Sequence, residues 1–313
     1  MTPAATVATL VLLSSAVGCA RSVPTEPPAQ VAPVALAAPA EASASSAASA
    51  LPSVAASASA SASPSPALPR PLSARTDGPH ELPLTPERSV FYARPIESPA
   101  SSAGARPWRL VGHLHGICYP PSYSAGKWLG AAVDVGVLVS PTGNARCGDA
   151  NLGPPSWEAP SWEELVAAMD ADLERSIAKV EAKHPGSIRR GGAILTGFSR
   201  GAFAAPVIAR AHPGRWSLLV LIEANAPVSA ASLRKAGVRA VAWLAGEVGT
   251  ELAGERKTDA ELRSAGFPSK LFVMPRVAHL YPEEMDSLMH EAFEFVLSHE
   301  QDDVDGGNGN GDR

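Results

Sequence analysis

The sequence lacks several features that would each point to a particular class of protein. It has no run of 18 apolar residues, so no segment is long enough to span a membrane as a helix. Its 26 Lys and Arg residues are scattered, its net charge is −5, and its few aromatic residues do not alternate with basic ones. We therefore expect neither a membrane-spanning helix nor a nucleic-acid partner.

Large apolar side chains are also scarce in two long segments of the chain. Residues 20–75 are almost entirely Ala, Ser, Pro and Val, and residues 301–313 are mostly Asp, Gly and Asn. Such segments bury too little apolar surface to offset the entropy lost on ordering. We predict a disordered spacer over 20–84, a disordered tail over 301–313, and one folded domain over 85–300.

Cysteine is rare, and the first of the three follows an apolar segment. Residues 4–17 are apolar, and Gly18 and Cys19 come directly after them. This pattern indicates a signal peptide over 1–19. Its closing Cys19 is similar to the lipidated cysteine of bacterial lipoproteins, and the spacer would serve as the stalk. We expect an exported protein held at a bacterial membrane only through that lipid. The alternative is a plain cleaved signal in which Cys19 is incidental.

The two remaining cysteines lie inside the predicted domain. Cys118 and Cys147 are 29 residues apart, and leftover thiols in an oxidising compartment tend to pair. A disulfide over that separation would stabilise the fold by ~3 kcal/mol. The alternative is a pair of buried free thiols.

Apolar runs and amphipathic segments alternate along the domain. Continuous Val, Ile and Leu runs indicate buried strands, and the segments between them have helical periodicity. This order predicts a doubly wound, mostly parallel α/β sheet. The first two strands are expected to form an edge hairpin. The predicted strands are 88–93, 108–115, 134–140, 192–196, 216–222, 238–244 and 270–274, and the predicted helices are 162–183, 200–212, 230–236, 258–265 and 283–298.

The sequence Gly-Phe-Ser-Arg-Gly at 197–201 stands between a predicted buried strand and a helix of small residues. A serine on a sharp strand-to-helix turn is typical of a nucleophile elbow. Glycines flank it because larger side chains would strike the neighbouring strand and helix. The pattern predicts Ser199 as a nucleophile, although an ordinary glycine-rich turn would look similar.

Histidines that could serve the serine are few. His279 follows the last predicted strand and would act as the general base, unless it is an ordinary surface-loop histidine. His113 and His115 share one face of a strand and could form a metal pair. No further ligands stand at suitable spacing, so we expect no metal site.

Together, the 197–201 pentapeptide, His115-Gly116 and the His279 loop resemble the α/β-hydrolase superfamily, specifically its small secreted esterase-like members. The resemblance covers 88–298. It implies a fold without a large cap domain, an acyl-serine intermediate, water as acceptor and no cofactor. It also implies an oxyanion hole formed by the backbone N–H groups of Ile117 and Arg200.

Three glutamates could supply the acid that orients His279. The family commonly has Asp where this sequence has Gly249. Glu247 ranks first because it lies closest to the end of strand 238–244, and Glu251 and Glu223 are the alternatives.

We therefore expect a monomeric serine hydrolase acting on a small-molecule ester. The alternatives are a binding protein that lacks a working acid and a peptidase variant. A glutamate within hydrogen-bond reach of His279 would favour the enzyme.

Overall fold

The computed structural model describes residues 76–96, 107–148 and 152–300. The predicted signal peptide, Cys19, most of the predicted spacer and the tail lie outside these residues. All described residues belong to one compact unit, Ser65–Arg313. In this part of the chain, no helix is long and apolar enough to cross a membrane.

An eight-stranded sheet forms the centre of this unit, in the order β1-β2-β4-β3-β7-β8-β9-β10. Strand β2 pairs antiparallel with both β1 and β4, and every other pair in the sheet is parallel. The strands are β1 (Thr76–Thr85), β2 (Arg88–Pro95), β3 (Trp108–Leu114), β4 (Gly136–Pro141), β7 (Ile188–Phe198), β8 (Trp216–Ile222), β9 (Ala240–Gly246) and β10 (Ser269–Met274), with β5 (Ala145–Arg146) and β6 (Pro155–Ser156) forming a separate two-stranded sheet.

The first strands differ from the prediction in two ways. Strand β1 lies almost entirely within the predicted spacer, so the described fold begins at Thr76 and not at residue 85. Its prolines and polar residues conceal it in the sequence, and an edge strand tolerates them. The expected hairpin between 88–93 and 108–115 is also wrong, because β4 lies between β2 and β3.

Helices cover both faces of the sheet. Helices α3, α4, α5 and α6 pack with one set of sheet residues, and α1, α2 and α7 pack with the other set. Along β8, Leu219 and Leu221 face the first core, whereas Leu218, Val220 and Ile222 face the second. The helices are α1 (Pro121–Gly126), α2 (Leu129–Val135), α3 (Trp162–Lys183), α4 (Arg200–Ala211), α5 (Ala230–Lys235), α6 (Leu252–Ser264) and α7 (Met285–Leu297).

These two layers confirm the predicted doubly wound, mostly parallel sheet. Helix α3 has the predicted bounds, and the Ser161 hydroxyl caps it by accepting the Glu164 N–H at 3.1 Å. Helices α1 and α2 have six and seven residues, too few for the periodicity that predicts a helix. Among the described connections between strands, none carries a domain inserted over the sheet. The carboxyl ends of the parallel strands therefore open onto one edge, where the candidate residues lie.

Candidate active site

Ser199 occupies the sharp turn between β7 and α4. Its φ of 53° and ψ of −119° are a strained conformation for a residue with a side chain. A Cβ on Gly197 would overlap the backbone of Gly201, and a Cβ on Gly201 would overlap the carbonyl of Leu114. The Ser199 N–H donates to Ile222 O on the neighbouring strand at 2.8 Å. The glycines thus allow strand and helix to close around the serine and hold its hydroxyl out of the turn.

His279 meets this serine from the loop that follows β10. Its Nε2 lies 2.8 Å from the Ser199 Oγ, which is hydrogen-bond distance. Its ring packs against Phe198, with 5.0 Å between the ring centroids. The serine and the histidine, 80 residues apart in sequence, are therefore in the contact that a nucleophile-and-base pair requires.

Glu223 lies on the other side of the histidine ring. Its Oε2 is 3.2 Å from His279 Nδ1, and the residue is only 1% exposed. Its Oε1 accepts the backbone N–H of Gly246, at the end of β9. A Cβ on Gly246 would overlap the carbonyl of Ala278, so glycine is required where this loop passes the strand. The carboxylate orients Nδ1–H toward itself and leaves Nε2 free to accept the serine proton.

The two other candidate glutamates lie elsewhere. The Glu247 carboxylate accepts the Arg276 N–H at 2.9 Å, and the Glu251 carboxylate accepts the Asn225 N–H at 3.1 Å. Glu247 is exposed because the chain turns directly after β9, where Gly249 N–H bonds to Gly246 O at 2.9 Å. The ranking that placed Glu247 first is therefore corrected. The acid contacting His279 is Glu223, from the end of β8, where a left-handed φ of 56° turns the chain.

A second buried carboxyl lies behind Glu223. Glu255, on α6, is fully buried, and its Oε1 accepts the Ala224 N–H at 2.8 Å. Its Oε2 has no hydrogen-bond partner among the described residues. Burial, together with the smaller effect of the nearby Glu223 and Glu251 charges, raises the pKa of Glu255 to about 9. Glu255 is therefore protonated at neutral pH and adds no negative charge of its own beside Glu223.

The predicted oxyanion residues flank the serine. A Cβ on Gly116 would come within 3.1 Å of the Ser199 Cβ, so the backbone leading to Ile117 passes directly beside the nucleophile. Arg200 is the first residue of α4, where backbone N–H groups have no acceptor within the helix. Two backbone N–H groups thus stand next to the serine, one on each of two chain segments.

His113 and His115 are both fully buried, and all four of their ring nitrogens are engaged. His113 bonds to the hydroxyls of Thr196 and Ser124, each at 2.8 Å. His115 bonds to Gly116 O at 2.7 Å and receives the Gly143 N–H at 2.9 Å. Burial lowers the pKa of His113 to about 3 and that of His115 to about 4. Both rings are neutral hydrogen-bonding elements beside the site.

Cys118 and Cys147 form a disulfide, with Cα atoms 5.5 Å apart. The bond confirms the predicted pairing and excludes the free thiols. It joins the loop that contains Ile117 to the segment after β4. The disulfide therefore anchors the loop that holds Ile117, one of the two predicted oxyanion residues.

Sequence patterns give no signal for several residues around the site. Trp157, Tyr123 and Glu255 stand in segments without a motif. Each contacts, from a distant part of the chain, a residue within two positions of Ser199, His279 or Glu223. The one available hint for Trp157 and Glu255 is their residue type. A buried tryptophan normally finds a partner for its indole N–H, and a buried glutamate normally needs a partner or a proton.

Several solved structures are similar to this chain at low sequence identity. An S-formylglutathione hydrolase from Staphylococcus aureus is 10% identical, with 67% of this chain and 92% of that chain covered and a TM-score of 0.48. One from Agrobacterium tumefaciens is 15% identical, with 68% and 90% covered and a TM-score of 0.48. A ferulic acid esterase is 15% identical, with 71% and 96% covered and a TM-score of 0.48. The sequence matches no family model and no curated protein.

The chain's own geometry decides the fold. Parallel strands β3, β7, β8, β9 and β10 end at one edge of the sheet, and a strained serine joins β7 to α4 there. The loop after β10 carries a histidine to that serine. With this strand order and this elbow, the chain has the α/β-hydrolase fold that its motifs predict.

Proposed function

We propose that this protein is a serine hydrolase that cleaves carboxylic esters through an acyl-Ser199 intermediate. The observation that carries the proposal is the continuous relay from the Ser199 Oγ through the His279 ring to the Glu223 carboxylate. Each member is in hydrogen-bond contact with the next, and the buried end of the relay is an acid. This is the arrangement that activates a serine hydroxyl.

In the proposed reaction, each step is carried out by a particular atom of this chain. His279 Nε2 takes the Ser199 proton as the Oγ attacks the ester carbonyl, and Glu223 stabilises the imidazolium that forms. The backbone N–H groups of Ile117 and Arg200 receive the negative oxygen of the tetrahedral intermediate. Collapse of this intermediate breaks the bond to the alcohol, which leaves with the proton from Nε2. Water, activated by the same histidine, then attacks the acyl-serine, and the carboxylic acid product is released.

Four exposed apolar side chains, called here the apolar rim, lie on segments next to the site residues. Ile117, Tyr123, Val248 and Leu280 are all exposed, although large apolar residues usually avoid solvent. Ile117 follows the glycine that contacts the serine, and Leu280 follows the base. Val248 donates its N–H to Val277 O beside the base, at 3.1 Å, and the Tyr123 ring lies 6.2 Å from that of Tyr281. We propose a small ester with an apolar group next to the scissile bond.

Covalent labelling with a fluorophosphonate probe tests the proposed activity. The probe reacts only with an activated serine, so we expect one label on the wild-type protein, at Ser199. Ser199→Ala should lose the label while keeping the same melting temperature. A folded wild-type protein that takes up no probe would refute the proposal.

A binding protein without a working acid is the competing function raised by the sequence. The contact of 3.2 Å between Glu223 and His279 Nδ1 favours the enzyme over that alternative. The apolar rim favours a small ester over a peptide substrate, because an extended peptide backbone needs a row of polar partners. Steady-state turnover of a short acyl ester, compared with that of a matched anilide, distinguishes the two bond types.

We also propose that the enzyme is exported and anchored through a lipid on Cys19. The order of apolar segment, Gly18-Cys19 and Ala/Ser/Pro-rich spacer supports this, and a disulfide is compatible with an oxidising compartment. Fractionation of cells expressing the full chain should place it with membranes, and Cys19→Ser should release it. Membrane association unaffected by that substitution would contradict lipidation.

A further inference from the structure

We infer that His115 and Trp157 act as one positioning unit that holds both donor segments of the oxyanion hole. The inference rests on the proposed function, because an oxyanion hole matters only if Ser199 forms a tetrahedral intermediate. Neither residue belongs to the serine–histidine–glutamate relay. Both are fully buried, and their rings stack with centroids 4.9 Å apart.

The hydrogen bonds of His115 determine where its proton lies. The Gly143 N–H donates to Nε2 at 2.9 Å, so Nε2 has no hydrogen of its own. Nδ1 therefore carries the proton and donates it to the carbonyl of Gly116 at 2.7 Å. The ring is neutral because burial lowers its pKa to about 4. His115 thus holds the Gly116 carbonyl in one direction.

That direction determines the position of the first oxyanion donor. The peptide between Gly116 and Ile117 is trans, so its C=O and N–H point to opposite sides of one plane. A carbonyl held against His115 leaves the Ile117 N–H on the side away from the ring. Rotation of this peptide would break the bond to Nδ1 inside the core, at the cost of an unsatisfied buried donor.

Trp157 connects the segment that contains His115 to helix α4, which supplies the second donor. Its indole Nε1–H donates to the carbonyl of His115 at 3.0 Å. Its own carbonyl accepts the Arg200 guanidinium at 3.1 Å. Trp157 therefore bonds both to His115, two residues before Ile117, and to Arg200, whose backbone N–H is the second donor. The distance between the two donors depends on Trp157.

The experiment compares Trp157→Phe with Trp243→Phe. Both substitutions remove an indole N–H that donates at 3.0 Å inside the core, but Trp243 bonds to Ser269, away from the oxyanion segments. For a soluble short-chain ester, we expect Trp157→Phe to lower kcat about tenfold with little change in KM, because oxyanion bonds strengthen only in the transition state. Binding of a boronic acid, which forms a tetrahedral adduct with serine, should weaken by a similar factor. Trp243→Phe should change neither by more than about twofold.

Two further measurements keep the inference separate from the proposed activity. His115→Asn keeps a donor near the Nδ1 position and should retain more activity than His115→Leu, which has none. Hydrogen exchange, which needs no turnover, should speed up over 114–120 and 198–203 in Trp157→Phe but not in Trp243→Phe. Unchanged exchange in those segments, or equal kinetic losses in the two tryptophan variants, would overturn the inference. Absence of fluorophosphonate labelling in the wild type would instead refute the proposed function.

Discussion

The two ends of the catalytic relay are held in different ways. At the serine end, backbone packs against backbone: glycines at 197 and 201 let β7, α4 and β3 approach closely, and a disulfide ties the adjacent loop. At the acid end, Glu223 is held by hydrogen bonds among loops that follow β8, β9 and β10, with Glu255 buried behind it. The serine end should therefore be sensitive to added volume, and the acid end to charge.

The largest expected effect, a loss of both stability and activity, comes from adding one methyl group at the serine end. In Gly201→Ala the new Cβ would overlap the carbonyl of Leu114, which cannot move without shifting β3. We expect a loss of about 3 kcal/mol in the free energy of unfolding, together with loss of activity. Denaturant unfolding measures the change.

Gly126→Ala is the control for this substitution, since its Cβ would meet no atom within 4 Å. Equal stabilities of the two alanine variants would show that the elbow is not sterically closed.

Removing the disulfide should loosen the serine end and leave the acid end intact. The double substitution Cys118→Ser/Cys147→Ser releases a bridge between residues 29 apart, at a cost of about 3 kcal/mol. Because Cys118 follows Ile117, we also expect kcat to fall by a larger factor than KM rises. Thermal unfolding and steady-state kinetics measure the two effects. A change in KM alone would mean that the disulfide shapes substrate binding instead of the oxyanion region.

The smallest effect tests the acid end through its response to pH. The folded-state pKa of Glu255 is about 9, whereas that of an exposed glutamate is 4.5. Between these values the folded state binds one more proton than the unfolded chain, so stability falls as pH rises through this window. Glu255→Gln cannot ionise and should remove this slope, gaining roughly 1 kcal/mol per pH unit relative to wild type between about pH 5 and about pH 8.

Urea unfolding of both proteins across that pH range measures the slope. Glu247→Gln is a control, because this carboxylate is exposed and is not among the charges that raise the Glu255 pKa. Parallel stability curves for wild type and Glu255→Gln would contradict a protonated Glu255.

The same contrast explains how far the sequence could predict the site. The elbow and the long helix α3 are local patterns, and Ser199 and His279 follow from their places after two strands. The identity of the acid depends on which of two neighbouring strands, β8 or β9, supplies the carboxylate. The sequence favours Glu247 because it lies closest to the end of its strand. The structure instead shows a left-handed turn at Glu223 and a backbone donor from Gly246, neither of which has a sequence signal. The sequence does not predict strand β1 for a related reason. Its prolines argue against a strand, and they are tolerated only because β1 lies at the edge of the sheet.

The identity of the acid is tested most directly by the rate of fluorophosphonate labelling in three glutamine variants. Glu223→Gln, Glu247→Gln and Glu251→Gln each remove one candidate charge with little change in shape. We expect Glu223→Gln to label roughly 10³–10⁴-fold more slowly than wild type, because the histidine loses its orienting carboxylate. The other two variants should label within about twofold of wild type. A slow Glu247→Gln together with a normal Glu223→Gln would contradict the relay described above.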